Sequence, residues 1–166
     1  MRKQEERKSP RPADIARELG SKDPAVRERA CRSLVAIGKP AVPVLLELLG
    51  GAVDDARREA ARALSKIRDP SSAKDLVWAL EDELPGVRWL AGEGLIAMGR
   101  DGLIPLFQAL IRRSDSVRLR QSAHHILRAL GGSDTGRHLA PVMEALEGPE
   151  PISALPVAAF NALKEL

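Results

Sequence analysis

A repeat of about 31 residues constrains the fold of this chain more than any other feature of its sequence. An apolar residue followed by arginine opens each unit, and three further apolar positions follow it at +4, +8 and +11. These spacings place the apolar residues on one stripe of an α-helix. The +4 position is always alanine, whose small side chain lets a neighbouring helix approach closely: Ala30, Ala60, Ala91 and Ala123. We expect the closest approach in a central unit at Ala91, with Gly94 beside it.

A second helical segment follows each stripe, so every unit is predicted to be a helix pair. No run of four or more residues alternates as a strand would, which predicts an all-α fold. Two short helices cannot bury their apolar stripe alone, so the units must stack as a right-handed α-solenoid of about four helix pairs with capping helices. The expected helices cover residues 12–19, 24–37, 40–50, 53–68, 70–82, 85–99, 101–113, 115–130, 135–147 and 152–165.

The helix ends carry recognisable signals. Four aspartates are predicted N-caps, and proline follows the first two of them: Asp23, Asp69, Asp115 and Asp134. Three glycines stand where a helix C-terminus favours a left-handed residue: Gly38, Gly99 and Gly131. The second unit has Arg68 at that place. The last helix, 152–165, is too apolar to stand free in water, so we expect it to cap the fourth unit and to bury Phe160 and Leu163.

The first unit reads D-P-x-V-R-x-x-A-x-x-x-L-x-x-I-G, followed by A-V-P-x-L-x-x-L-L. This pattern resembles the HEAT-like repeats of bacteria, including the type found in phycobilisome lyases. The resemblance covers roughly residues 22–147. It implies a HEAT-like solenoid, and it implies an interaction scaffold more readily than a particular chemistry.

The net charge of +3 belongs to a short N-terminal segment, because residues 1–12 hold five basic and two acidic side chains. We expect residues 1–10 to be a disordered basic tail and residues 11–166 to form a single HEAT-like domain. No apolar segment follows the N-terminal charges as in a secretory signal, and no stretch approaches the length of a membrane span. The expected location is therefore the cytoplasm, without a membrane partner.

Residues for catalysis or metal binding are hard to find. The three histidines form no H-E-x-x-H motif, and adjacent His124 and His125 point about 100° apart on a helix. Cys31 is the single cysteine, and we expect it to be a passive thiol in the core. We therefore predict no catalytic residue, no cofactor and no metal, and we expect the chain not to be an enzyme.

Charge along the chain is uneven, although residues 13–166 are neutral in sum. Residues 112–137 are basic, with six arginines against two aspartates, whereas residues 69–86 are acidic. Arginine also recurs once per unit, at Arg27, Arg57, Arg88 and either Arg118 or Arg120. These arginines are expected to pair with aspartates of adjacent turns, with a row of phosphate contacts as the alternative.

Two tryptophans interrupt the repeat pattern. Trp78 lies on the charged face of its helix, and Trp89 takes a position that is charged in earlier units. Large exposed rings of this kind are typical of binding hot spots. The predicted partner-binding residues are Lys74, Trp78, Glu81, Trp89, Gln108 and Arg112.

Three functions remain open at this point. The first is a non-catalytic scaffold that binds an unidentified protein on the concave surface lined by the second helices, as a monomer with weak self-association at most. The second is nucleic-acid binding through residues 112–137, which the scarcity of aromatic side chains disfavours. The third is a lyase-type enzyme subunit, which only the family resemblance suggests.

Overall fold

The computed structural model describes residues 11–132 and 136–166. Its helices follow the expected order, and short 3₁₀ turns (Arg17–Gly20, Lys39–Ala41 and Pro70–Ser72) complete three of the segments. The α-helices are α1 Pro12–Ala16, α2 Pro24–Ile37, α3 Val42–Leu49, α4 Asp54–Ile67, α5 Ala73–Ala79, α6 Pro85–Met98, α7 Arg100–Arg112, α8 Val117–Leu130, α9 Gly136–Glu147 and α10 Pro151–Glu165. No strand occurs in these residues, so the predicted all-α solenoid of helix pairs is confirmed. Within the two described ranges, no helix combines the length and the hydrophobicity that a bilayer span requires. The division into a tail over 1–10 and a domain over 11–166 stays a prediction.

The N-caps are partly as predicted. The side chains of Asp23 and Asp69 accept hydrogen bonds from the backbone N–H groups of Ala25 and Ser71, both at 2.9 Å. At α8 the cap is Ser116 rather than Asp115, because the Ser116 hydroxyl accepts from Leu119 N–H at 3.2 Å. The fourth predicted cap, Asp134, lies outside the described residues.

The helix C-termini show which glycines the backbone requires. Gly38 and Gly99 have φ angles of +73° and +57°, as expected for the residue that ends α2 and α6. Gly131 has φ −60°, so the prediction of a left-handed residue there is wrong. Arg68 takes the left-handed conformation without being glycine, at φ 57° and ψ 33°.

The apolar stripes of the first helices form the centre of the molecule. Helices α2, α4, α6 and α8 pack on one another in succession, and the second helices cover them from one side. The four repeated alanines are buried, with at most 1% of their surface exposed. A Cβ atom on Gly94 would lie 3.3 Å from Ser65 Cα of α4 and 3.0 Å from a methyl carbon of Leu76. The close approach expected beside Ala91 is therefore present between α4 and α6.

One arginine per unit fixes the turn before its own helix. Each of these side chains donates to the backbone carbonyl six residues earlier: Arg27 to Ser21 (2.6 Å), Arg57 to Gly51 (3.1 Å), Arg88 to Asp82 (2.8 Å) and Arg120 to Ser114 (2.6 Å). Two of them also reach an acid in the next unit, since Arg27 lies 3.5 Å from Asp55 and Arg57 lies 3.0 Å from Asp82. The arginine row is thus part of the framework, and its fourth member is Arg120 rather than Arg118.

The terminal helix α10 packs against α9 of the fourth unit and α7 of the third. Its buried side chains are Leu155, Ala159 and Ala162. Phe160 is 50% exposed, so the expectation that it is buried is wrong, and Leu163 is only half-buried. Residues 155, 159 and 162 follow the four- and three-residue steps of one helix face, and residue 160 is rotated about 100° from residue 159.

Candidate functional site

A groove between α5 and α7 contains four of the six residues that the sequence singled out. Lys74 and Trp78 come from α5, and Gln108 and Arg112 come from α7. Its volume is about 230 Å³, and Pro105 and Arg113 complete its wall. We call this the Trp78 groove.

Helical spacing explains why these side chains meet. Residues 74 and 78 are one turn apart on α5, as are residues 108 and 112 on α7, so each pair shares a face of its helix. The two helices pack side by side, which brings the two faces together. Val77 and Ala109 are buried beneath them and form an apolar floor.

The indole of Trp78 is the main apolar surface of the groove. It is 58% exposed, and the Arg113 guanidinium lies over the ring, 3.8 Å from its centroid. This is the geometry of a cation–π contact. Since the guanidinium covers one face, the exposed area belongs to the other face and the ring edge.

Arg113 is itself held by an acid from the end of α5. The Arg113 Nη1 donates to Glu81 Oε2, and Ser116 Oγ donates to Glu81 Oε1. Burial lowers the pKa of the Arg113 guanidinium, which nevertheless stays protonated at neutral pH. The predicted contact residue Glu81 therefore lies behind the Trp78 groove rather than in its lining.

Two cations of the groove are unpaired. Lys74 and Arg112 are exposed and make no ion pair within the part of the chain that the structure describes. Gln108 also lines the groove and offers both amide donors and an acceptor. An exposed indole flanked by two free cations suits a flat apolar ligand that carries carboxylates.

Trp89 lies elsewhere, on α6 in the layer of first helices. Its ring is 55% exposed and is 4.6 Å from that of His125 on α8, at a tilt of 34°. The same imidazole is 3.3 Å from a Glu93 carboxylate oxygen. The structure thus separates Trp89 from the other predicted contact residues, and the role predicted for it stays a prediction.

Three arginines of the basic stretch 112–137 are engaged in contacts within the fold. Arg113 pairs with Glu81, and Arg118 donates to the Glu81 carbonyl at 3.2 Å. Arg120 donates to the carbonyl of Ser114 at 2.6 Å. Among the described residues, no group of three His, Cys, Asp or Glu side chains is arranged to hold a metal ion.

Sequence reasoning missed Arg113, Ser116 and Pro105. Arg113 follows Arg112 at the end of α7, and nothing in the local sequence indicates which of the two turns toward Trp78. The acidic partner that decides it, Glu81, is 32 residues away. Only the packing of α5 against α7 and α8 brings these residues together.

Comparison with known proteins gives two kinds of similarity. A family model for HEAT repeats matches residues 7–64 and 42–128. Over 78 residues, or 46% of this chain, the sequence is 41% identical to the bilin biosynthesis protein RpcF of Synechococcus sp. (strain WH8020). The chain spans 37% of the length of that protein.

Among solved structures, the fold is similar to the complex of CpcE and CpcF of phycocyanin lyase from Nostoc sp. PCC7120. The TM-score is 0.51 and the identity 23%, and the match covers 98% of this chain and 68% of the other. At this identity the similarity shows the fold alone.

These relatives overturn two expectations drawn from the sequence. The non-catalytic scaffold, with nucleic-acid binding as its alternative, is contradicted by the similarity to a bilin biosynthesis protein. The expectation that the chain is not an enzyme is contradicted by the same similarity. The absence of a recognisable catalytic motif misled the sequence argument, because a protein can contribute a binding surface to an enzyme without carrying such a motif.

Proposed function

Because the chain belongs to the HEAT-repeat family and matches a bilin biosynthesis protein at 41% identity over 78 residues, we propose that it is a subunit of a bilin lyase. A bilin is an open-chain tetrapyrrole, with conjugated flat rings and two propionate carboxylates. The Trp78 groove is where this subunit contacts the pigment.

The chemistry of the groove supports this assignment. The exposed face of Trp78 offers a stacking surface for a pyrrole ring, and the apolar floor excludes water beneath it. Arg112 can bind a propionate through two parallel N–H···O hydrogen bonds, whereas Lys74 acts as a point charge. The single observation that carries the assignment is an exposed indole that shares one groove with two cations, neither of which makes an ion pair with a described residue.

The size of the groove supports a role as a subunit. Its volume of about 230 Å³ is smaller than most pockets that enclose a complete ligand, which measure roughly 300–1,000 Å³. The groove therefore holds part of the pigment, and a second protein chain covers the remainder. We propose a protein partner on this side of the molecule for that reason.

The test is a titration of the purified protein with biliverdin, followed by visible absorption and induced circular dichroism. Binding is expected to be about tenfold weaker in Trp78→Ala, because a stacking residue at the centre of a site contributes that much. Trp89→Ala is the matched control, since it also removes an exposed tryptophan but lies outside the Trp78 groove. Equal losses in both variants, or no spectral change in the parent protein, would contradict the assignment.

The charged contacts can be tested through the ligand. Biliverdin dimethyl ester lacks both carboxylates, so it should bind more weakly than biliverdin to the parent protein. Lys74→Gln and Arg112→Gln should weaken the binding of biliverdin and leave that of the ester unchanged. A variant that weakens both ligands alike would mean that its cation does not contact the carboxylates.

A further inference from the structure

The acidic turn after α5 contains two side chains that face inward, Glu81 and Asp82, and Glu81 is the one that contacts Arg113. Glu81 and Arg113 are each about a quarter exposed, at 24% and 22%, whereas Glu83 in the same turn is exposed. The Glu81 carboxylate uses one oxygen for Arg113 and the other for Ser116, which is the N-cap of α8. It therefore links the ends of three helices: α5, α7 and α8.

Backbone contacts strengthen this link. Arg118 donates to the carbonyl of Glu81, and Ser122 Oγ donates to the carbonyl of Leu80, both at 3.2 Å. The end of α5 is thus attached to α8 by side chains at two successive carbonyls. Since Trp78 lies on the last turn of α5, its backbone position is fixed by the same contacts.

Charge balance explains why an acid is needed at position 81. A partly buried guanidinium without a counter-ion is costly, and it turns toward water when it can. Arg113 directly follows the last turn of α7, and its side chain is 22% exposed, so it borders solvent. Without Glu81, the guanidinium would leave the indole face and add a third free cation beside Lys74 and Arg112.

We infer that Glu81 is a positioning residue for the Trp78 groove: through Arg113 it holds the indole with one face covered and the other presented to the ligand. This inference rests on the proposed function for its ligand, but the arrangement itself exists without one. The contacts of Glu81 with Arg113 and Ser116 are made within the chain, so they do not depend on the pigment.

The arrangement can be measured in the ligand-free protein. The chain has two tryptophans, so Trp89→Phe leaves Trp78 as the only strong emitter. In that background, Glu81→Gln should raise the quenching of Trp78 by iodide by about twofold, because the covered face opens and an uncompensated cation attracts the anion. Glu83→Gln removes the same charge two residues away from an exposed side chain, and it should leave the quenching unchanged.

The second readout is the affinity for biliverdin in the same three proteins. Glu81→Gln should weaken binding by about fivefold, with Glu83→Gln again unchanged. Should Glu81→Gln fail to fold, Arg113→Lys tests the same link. Lysine can still pair with Glu81, but it cannot hold a planar guanidinium on the indole. Iodide quenching should therefore rise here too, by less than in Glu81→Gln, because the lysine cation stays paired.

The outcomes separate this inference from the proposed function. Iodide quenching that is unchanged by Glu81→Gln, or that rises equally in Glu83→Gln, would overturn the positioning role whether or not biliverdin binds. A rise specific to Glu81→Gln, in a parent protein that does not bind biliverdin, would support the positioning role and overturn the proposed function.

Discussion

Gly102 lies directly against the backbone of Leu95. A Cβ atom added at residue 102 would be 2.9 Å from the carbonyl carbon of Leu95 and 3.0 Å from its Cα atom. Helices α6 and α7 are joined by Gly99 alone, whose φ angle is +57°. Helix α7 therefore turns back sharply onto α6, and its third residue, Gly102, has no room for a side chain. Because α7 carries one wall of the Trp78 groove, this contact sets the position of that wall.

Gly102→Ala should therefore destabilise the fold. The obstacle is backbone rather than a movable side chain, so we expect a loss of about 1–3 kcal/mol in the free energy of unfolding, measured by urea denaturation. Gly50→Ala is the control, because a Cβ there would meet its nearest atoms at 3.8 and 3.9 Å, which is ordinary contact. If the two variants were equally stable, the α6–α7 turn would have to be more open than described.

Arg57 should contribute far more stability than its neighbour Arg58. It donates to the Gly51 carbonyl and pairs with Asp82, and both members of that pair are at least 85% buried. Arg57→Gln leaves Asp82 without its counter-ion and should cost about 3 kcal/mol. Arg58→Gln breaks a half-exposed pair with Asp55 and should cost less than about 1 kcal/mol. Thermal unfolding of the two variants measures the difference, and similar midpoints would contradict the role of the arginine row.

The repeat predicted the fold because each of its signals is local. An apolar stripe, an aspartate before proline, and a glycine after the last turn act within a few residues, as they do at Asp23 and Gly38. Predictions failed where a neighbour replaced the expected residue. Ser116 caps α8 in place of Asp115. Arg68, already the exception to the glycine pattern in the sequence, takes the left-handed conformation that glycine favours. In each case more than one residue could satisfy the same backbone requirement.

The site was predictable only in part, for a different reason. Trp78 stood out because a large ring interrupts a charged repeat position, and Lys74 shares its helix face. The contact between Arg113 and Glu81 joins residues 32 positions apart, and it depends on how α7 ends relative to α5. No periodicity within one helix contains that information. The expectation that the chain is not an enzyme failed for a related reason, because it was drawn from the lack of a catalytic motif, and binding surfaces carry no motif.

Cys31 is expected to be unreactive in the folded protein. Burial, reinforced by the neighbouring Glu59 carboxylate, raises the pKa of its thiol above the usual 9.0. The reactive thiolate is therefore scarce, and the sulfur is inaccessible. Ellman's reagent at pH 8 should modify the thiol only after denaturation in urea. Rapid modification of the native protein would show that α2 and α4 separate readily around this residue.

The raised pKa of the Cys31 thiol predicts how the free energy of unfolding changes at alkaline pH. Because the pKa is raised in the folded state, the stabilisation from the neutral thiol is complete below pH 9.0 and is lost as the pH rises through the higher folded value. Cys31→Ala should therefore lose less stability than the parent protein between neutral pH and about pH 10. Parallel losses in the two proteins would mean that another group controls this range.

The last prediction concerns which face of α10 packs against the rest of the protein. Phe160 is half-exposed and its ring lies beneath Lys164 Nζ at 4.3 Å, so Phe160→Ala should cost less than about 1 kcal/mol. Leu155 is fully buried where α10 meets its neighbours, so Leu155→Ala should cost about 2–5 kcal/mol by leaving a cavity. Urea denaturation of both variants at neutral pH measures the difference. A large loss in Phe160→Ala with a small loss in Leu155→Ala would mean that α10 is rotated by about 100° and docks through the other face. That rotation would also change how α10 packs on α7, and with it the helix that carries Gln108 and Arg112.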